Sequence, residues 1–232
     1  MRREIVLDTE TTGLSADGGD RLVEIGCVEL INRMPSGNEF HVYINPERDV
    51  PVEAANVHGL TTEFLNDKPV FAKVARAFID FIQADTLVIH NADFDVGFLN
   101  MELKRLSAPL ISKTRVVDTL AIARRKHPGG PNTLDALCKR YGIDNSRRTK
   151  HGALLDSLLL AEVYIELLDE RQARMELAAS GRGGSRSESA GGNAPARTRP
   201  EALPQRITEA EQKSHAQFIE TLGEAAIWRR YT

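Results

Sequence analysis

The chain of 232 residues is 41% hydrophobic and 27% charged, with a net charge of −3, a composition typical of a globular protein with a full core. No apolar run approaches the length of a membrane span, and only three apolar residues lie between Glu4 and Asp8, too few for a signal peptide. We therefore expect a cytoplasmic protein that has no membrane partner. The two cysteines, Cys27 and Cys138, form no motif, which favours a reduced compartment.

The charges are unevenly distributed along the chain. Residues 178–232 carry eight Lys and Arg against six Asp and Glu, whereas residues 1–177 carry 22 against 27. Because nucleic-acid affinity depends largely on neutralising phosphates, an acidic main domain argues against a free-standing nucleic-acid binder. A function on nucleic acid would require metal ions, a local basic strip or a partner that delivers the substrate.

A pair of acidic residues follows the first predicted strand. Ile5–Leu7 are apolar and favour a strand, which continues through Asp8 and Glu10 until Thr11-Thr12-Gly13 ends it. Because side chains alternate along a strand, Asp8 and Glu10 project from one face, where their carboxylates repel each other unless a cation lies between them. Hard oxygen ligands of this kind suit Mg²⁺ or Mn²⁺. A capping or salt-bridging pair at a strand end is the alternative.

The hydrophobic periodicity of the main domain predicts an α/β fold, in which a mixed five-stranded sheet is flanked by helices. The predicted elements after the first strand are a strand Leu22–Asn32, a hairpin loop at 33–38, a strand Phe40–Ile44, a helix from Val70 to Ile82, a strand Thr86–His90, a helix opened by His90–Asp95, a strand ending at Val116–Asp118, the helices Thr119–Arg125 and Leu134–Tyr141, and a long helix from Ala153 to Arg174.

The composition changes after residue 177, which divides the chain into three segments. Residues 1–177 form the predicted main domain. Residues 178–206 are rich in Gly, Ser, Ala, Pro and Arg and read as a flexible linker, since they have too few apolar groups to form a core. Residues 207–232 begin with a predicted capping box at Thr208–Glu211 and present Phe218 and Trp228. A segment this short does not fold alone, so its apolar residues indicate docking onto a partner.

Two further acidic residues and one histidine occupy unusual positions. Asp95 follows a buried strand at the start of a helix, where an aspartate is most often a helix cap. Asp156 lies within an apolar helical stretch, where a charge is costly unless it is paired or bound to metal. His151 precedes that helix and is predicted in the loop that enters it, beside the site that Asp156 lines. A solvated loop histidine is the alternative.

Three segments, DTETTG at 8–13, HNADFD at 90–95 and HGALLD at 151–156, resemble in this order the three motifs of DEDD exonucleases of the histidine subclass. The resemblance covers residues 4–172 and implies a ribonuclease H-like fold. It is strongest to the proofreading subunits of bacterial replicative DNA polymerases. It implies two divalent cations, Mg²⁺ or Mn²⁺, held by Asp8, Glu10, Asp95 and Asp156, with His151 as general base. The substrate-binding residues that it implies are Asp8, Glu10, Thr11, Glu53, His58 and Asp156.

The function that the resemblance implies is the removal of mismatched nucleotides from a DNA 3′ end, releasing nucleoside monophosphates in the 3′ to 5′ direction. Two metal ions activate a water and stabilise the leaving oxygen in such enzymes. The implied partners are DNA and the polymerase catalytic (alpha) subunit, which residues 207–232 would contact. Residues 172–177 resemble peptides that dock on the bacterial sliding clamp, or else they are the end of the long helix.

Two other functions fit the same residues. A histidine-type DEDD ribonuclease that trims RNA ends would share the site, although the tethered C-terminal segment argues against it. A non-catalytic binding module on this fold would not need five intact site residues. Within the second motif, Asp93 lies two residues before Asp95, and we interpret Asp93 as a solvated acid rather than a metal ligand.

Overall fold

The computed structural model describes residues 2–148, 150–168 and 208–222. The chain divides into two units, 1–177 and 178–232, which are described separately. The strands are β1 (Arg3–Thr11), β2 (Leu22–Ile31), β3 (Met34–Tyr43), β4 (Thr86–Ile89) and β5 (Val116–Asp118), and the helices are α1 (Val52–His58), α2 (Thr62–Leu65), α3 (Phe71–Ile82), α4 (Ala92–Arg105), α5 (Thr119–Lys126), α6 (Leu134–Tyr141), α7 (Ala153–Leu167) and α8 (Glu209–Thr221).

The described strands form one five-stranded mixed sheet in the order β3-β2-β1-β4-β5, which confirms the predicted fold class. The first three strands are antiparallel neighbours, whereas β4 is parallel to both β1 and β5. The carboxyl ends of β1, β4 and β5 therefore lie at the same edge of the sheet. Residues that follow these strands are brought together there, although they are far apart in the sequence.

Each face of the sheet has its own hydrophobic core, and the alternation along β1 assigns residues to the two faces. Ile5 and Leu7 belong to the core that includes residues of α3 and α4. Val6 belongs to the core that includes residues of α5, α6 and α7. Since Asp8 and Glu10 are in phase with Val6, they lie on the α7 side of the sheet, while Thr9 lies on the α4 side.

The predicted loop between β2 and β3 is wrong. The strands are joined by a two-residue turn at Asn32 and Arg33, whose φ angles of 49° and 66° are those of a tight hairpin turn. The loop-like composition of residues 35–38 belongs instead to an irregularity in β3, where Ser36 and Asn38 each donate a side-chain hydrogen bond to Glu29. These side-chain bonds stabilise the residues in a strand that their propensity disfavours.

The sequence analysis assigned no structure to the segment that contains α1 and α2. The long helix agrees with the prediction at its start, Ala153, but the predicted end at Arg174 lies outside the described residues. The same holds for the linker, for the clamp-like peptide 172–177 and for Trp228. In the C-terminal unit, α8 begins with the predicted capping box, in which Thr208 and Glu211 exchange hydrogen bonds. Among the helices of the described ranges, none is long and apolar enough to cross a membrane.

Candidate active site

Four acidic residues, called here the carboxylate cluster, converge at the carboxyl edge of the sheet: Asp8, Glu10, Asp95 and Asp156. Two come from the end of β1, one from the first turn of α4 and one from the first turn of α7. Glu10, Asp95 and Asp156 are buried, with at most 9% of each residue exposed. The structure thus brings all four predicted ligands to one site, from both sides of the sheet.

The carboxylate cluster is electrostatically strained when no cation is bound. Burial, followed by the negative charges of Asp95, Glu10 and Asp156, holds the pKa of Asp8 well above its usual range. Burial and the charge of Asp156 raise the pKa of Glu10 to about 8. Such mutual repulsion is relieved by binding a cation or by retaining protons.

A hydrogen bond from β1 positions Asp95. The Thr9 hydroxyl donates to Asp95 Oδ1 over 2.7 Å, so the strand holds the α4 carboxylate from the face opposite to Asp8. Burial raises the pKa of Asp95 to about 7, although the Thr9 hydrogen bond works in the other direction. Asp93, in contrast, is exposed and forms an ion pair with Lys113 on the surface, 2.5 Å from Asp93 Oδ1 to Lys113 Nζ.

Asp156 is positioned by the contact of α7 with β2. Gly26 pairs with Asp8 in the sheet, and the first turn of α7 lies directly over it. The Ser157 hydroxyl donates a 2.9 Å hydrogen bond to the Gly26 carbonyl oxygen and fixes the register of the helix on the strand. The sequence analysis gave no role to Gly26 or Ser157. The available signal was a glycine in the middle of a predicted strand, a position that often marks close approach of another backbone.

His151 lies in the loop before α7, as the sequence predicts, and α1 supports that loop. The His151 backbone N–H donates to the Val57 carbonyl oxygen over 3.2 Å. Lys150 Nζ donates to the carbonyl oxygens of Ala55 and Asn56 at the carboxyl end of α1. His151 is about half exposed, and its Nδ1 atom lies 3.4 Å from Asp156 Oδ2. The unassigned helix α1 therefore sets the position of the predicted general base.

Two strips of basic residues, Arg124–Lys126 and Arg147, Arg148 and Lys150, do not form continuous phosphate-binding surfaces. Arg148 points inward and forms a two-point ion pair with Asp156, and Lys150 is bound to α1. In the other strip, Lys126 Nζ donates to the carbonyl oxygens of Glu166 and Leu167 at the end of α7. Arg124 alone, among residues 124–126, lines the cavity at the site.

A further buried acid outside the carboxylate cluster, Glu24, lies beside it. It is directly opposite Glu10 on β2, and its charge contributes to the raised pKa of Glu10. His41 Nε2 lies 2.7 Å from Glu24 Oε1, so the imidazole pairs with this carboxylate from the neighbouring strand. Neither residue was predicted from the sequence, although the position of Glu24 within the largely apolar strand LVEIGCVELI is a signal of a special environment.

The carboxylate cluster lines an open cavity of about 1080 Å³. Three predicted substrate-binding residues outside the cluster, Thr11, Glu53 and His58, also line it. His58 is 6% exposed and accepts a hydrogen bond at Nδ1 from the Leu60 N–H, while its Nε2 atom has no partner among the described residues. Burial lowers the pKa of His58, which favours a neutral ring.

The donor set fits divalent metal ions. Its atoms are carboxylate oxygens, and one ligand atom each of Glu10, His151 and Asp156 lie within 4.8 Å of one another. Carboxylate oxygens suit Mg²⁺ and Mn²⁺, and the repulsion within the cluster is of the kind that bound cations relieve. The predicted dependence on metal ions is therefore compatible with the residues that the structure assembles.

Comparison with known proteins identifies the family. Residues 5–164 match the family model described as Exonuclease. The chain is 52% identical to the DNA polymerase III subunit epsilon of Rickettsia prowazekii, over 75% of this chain and 78% of the relative, and 54% identical to that of Escherichia coli, over 72% of each. The structure of exonuclease X in complex with 5′ overhanging duplex DNA superposes with a TM-score of 0.56 at 26% identity, covering 72% of this chain and 92% of that one.

These similarities span the carboxylate cluster and the sheet, and they confirm both the predicted family and the ribonuclease H-like fold. The chain belongs to the exonuclease family and, within it, to the epsilon subunits of DNA polymerase III, which are proofreading 3′–5′ exonucleases.

Proposed function

We propose that this chain shortens DNA from its 3′ end by hydrolysis, with two divalent cations held by the carboxylate cluster and with His151 as general base. The convergence of four carboxylates, three of them on buried residues, and one accessible histidine on the lining of a single cavity supports the proposal most directly. Family membership supports the reaction type, and the names of the relatives support DNA as the substrate.

Different residues of the site are proposed to bind the metal ions, to accept the proton and to hold the nucleotide. Asp8, Glu10, Asp95 and Asp156 provide the hard oxygen ligands, and bound cations would supply activation of water and neutralisation of the phosphate charge. His151 is at the rim of the site, where its ring can accept a proton from the attacking water. His58 and Thr11 line the cavity, positions suited to hold the terminal nucleotide.

A mismatched primer end is the preferred substrate in this proposal. The carboxylate cluster lies on the wall of the cavity, where a terminal, unpaired nucleotide can place its phosphate beside the four acids. Separating a terminal base pair costs free energy, and this cost is smaller at a mismatch because its bases are not properly paired. A mismatched end therefore enters the cavity more readily than a paired end. The DNA complex formed by exonuclease X shows that a related chain of this fold binds a duplex with an overhang. The ribonuclease alternative has no comparable support from the relatives described above.

The partners follow from the division of the chain. We infer that residues 207–232 contact the polymerase catalytic (alpha) subunit, because they carry apolar residues on a segment too short to fold alone. Residues 172–177 are a candidate peptide for the sliding clamp, and residues 178–206 a linker between the two attachments. The relatives are bacterial polymerase subunits, and on that basis we expect this chain to act in the cytoplasm.

An exonuclease assay, in which the lengths of a labelled primer are resolved on a denaturing gel, tests the proposed reaction. We expect a 5′-labelled DNA primer to be shortened in single-nucleotide steps in Mg²⁺ or Mn²⁺, faster with a mismatched 3′ end than with a matched end, and faster than RNA of the same sequence. Asp95→Asn should abolish shortening, whereas the matched variant Asp93→Asn should retain most of it. Faster shortening of RNA, or an inactive Asp93→Asn beside an active Asp95→Asn, would contradict the proposal.

A further inference from the structure

Arg148 occupies the site in a manner that the sequence analysis did not anticipate. Its Nε atom donates to Asp156 Oδ1 over 2.5 Å and its Nη2 atom to Asp156 Oδ2 over 2.6 Å. The same Nη2 atom lies 2.7 Å from His151 Nδ1. Only 7% of the Arg148 side chain is exposed, so the guanidinium is a buried cation within the carboxylate cluster rather than a surface charge.

These contacts engage the atoms that the proposed reaction requires. Both carboxylate oxygens of Asp156 accept a hydrogen bond from Arg148, so one lone pair of each is engaged and the guanidinium charge would repel a metal ion that approaches the same carboxylate. A guanidinium has donors and no acceptor, and His151 Nδ1 must therefore be the acceptor of its bond. Arg148 therefore binds a predicted metal ligand, Asp156, and the Nδ1 atom of the predicted general base, His151, at the same time.

A second acidic residue holds Arg148 from outside the cluster. Arg148 Nη1 forms a 2.8 Å ion pair with Asp135 Oδ2, and Asp135 is about half exposed at the start of α6. Asn145 donates a hydrogen bond to the other oxygen of Asp135 and so fixes this carboxylate beside the loop. When Arg148 leaves Asp156, it therefore has an acceptor in place that keeps it near the cavity without blocking the cluster.

We propose that Arg148 is a built-in counter-cation that holds the carboxylate cluster together in the metal-free protein and that a divalent ion displaces from Asp156. Arg148 is thus a positioning residue, and its release frees Asp156 and His151 together, which couples metal loading to the availability of the base. The inference rests on the metal site of the proposed function. It adds that ion entry is a competition with an arginine and that the 145–151 loop changes its contacts when the ion binds.

Metal binding without substrate tests this competition. We expect the full-length Arg148→Met variant to bind Mn²⁺ at least about tenfold more tightly than the wild type, measured by calorimetry or by the electron paramagnetic resonance of free Mn²⁺, a difference of about 1.4 kcal/mol. Arg147→Met is the matched control, because Arg147 is an exposed arginine on the same loop, and its affinity should equal that of the wild type. Unchanged or weaker binding by Arg148→Met would overturn the proposal, since it would mean that Arg148 supports a bound ion.

Two further measurements separate the possible failures. Asp156→Asn should lose Mn²⁺ affinity, and if it does not, the metal site of the proposed function is wrong, whatever Arg148 does. If Arg148→Met does not fold, the proposal is tested on the wild-type protein by titration with Mg²⁺. In nitrogen-15 spectra, the Nε–H resonance of Arg148 should shift, whereas the resonance of Arg147 should not. An Arg148 resonance that does not move at saturating Mg²⁺ would overturn the proposal.

Discussion

Gly26 lies so close beneath Ala153 that a Cβ atom added to the glycine would be 2.3 Å from the carbonyl carbon of Ala153. Real Cβ atoms do not approach backbone to this distance, so any other residue at position 26 would push the first turn of α7 away from β2. Because Gly26 pairs with Asp8 and the turn carries Asp156, this contact determines the spacing between two members of the carboxylate cluster.

Replacing Gly26 tests whether that spacing matters. Gly26→Ala should lower the free energy of unfolding by about 1–3 kcal/mol, as overpacking of a rigid contact does. It should also reduce kcat by about 100-fold, since misplacing catalytic groups by 1 Å has effects of this size. Chemical denaturation and primer-shortening kinetics measure the two effects. Gly97→Ala, at an exposed position in α4 with open space around it, is the control and should be neutral or slightly stabilising.

Removing His151 tests its role as general base. His151→Ala should lose about 10²–10⁴ in rate at neutral pH, the usual contribution of a positioned proton acceptor. Part of this loss should be recovered at high pH, because hydroxide replaces the missing base. The rate is followed from pH 6 to pH 10, alongside the affinity for Mn²⁺. A collapse of Mn²⁺ affinity together with the rate would indicate instead that His151 is a metal ligand, which its proximity to Glu10 and Asp156 permits.

The raised pKa of Glu10 predicts how the metal-free protein responds to pH. Burial raises the pKa of this carboxyl from its ordinary value of 4.5 to about 8, so the folded state keeps a proton that the unfolded chain releases. The stability that this proton provides is fully present below pH 4.5 and is lost as the pH rises through 8. In the presence of EDTA, Glu10→Gln should therefore melt close to the wild type at pH 5 and at a progressively higher temperature than the wild type up to pH 9.

Two controls accompany these melting curves. Glu39→Gln removes an exposed glutamate on β3 and is the matched control. Saturating Mg²⁺ should stabilise the wild type at pH 9 more than Glu10→Gln, because the ion neutralises the same carboxylate. A constant difference between Glu10→Gln and the wild type across the pH range would show that Glu10 has an ordinary pKa in the folded protein.

Truncation tests the proposed division of the chain. A protein ending at Leu177 should hydrolyse single-stranded DNA as the full chain does, because all members of the carboxylate cluster, His151 and the cavity lie before that residue. The truncated chain should no longer co-purify with the polymerase catalytic subunit. Trp228→Ala in the full chain should weaken that association by about 2 kcal/mol, the typical contribution of a buried aromatic anchor. Full binding by the truncated chain, or loss of its hydrolysis, would refute the division.

The sequence by itself determined most of the strands and flanking helices, but not α1, α2 or the start of β3, and it singled out the residues of the candidate site. Apolar periodicity is a local property, so the bounds of α6 and the buried strand β4 agreed closely with prediction. The alternation of side chains along β1 is also a local property, and it placed Asp8 and Glu10 on one face of the sheet. Three short motifs in order were sufficient to identify the family, because the chemistry requires acidic residues immediately after particular strands and at particular helix starts.

The tertiary structure alone decided how those residues are held. Nothing local in the sequence shows that α7 contacts Gly26, that α1 supports the loop of His151, or that Arg148 turns away from solvent toward Asp156. The first two contacts join residues far apart in the sequence, Gly26 with Ala153 and Val57 with His151. The third joins Arg148 to Asp156 in the next helix. All three depend on how the elements pack around the sheet. A basic residue in a loop is compatible with solvent, phosphate or a buried carboxylate, and the choice among them is made by which element the fold places opposite to it.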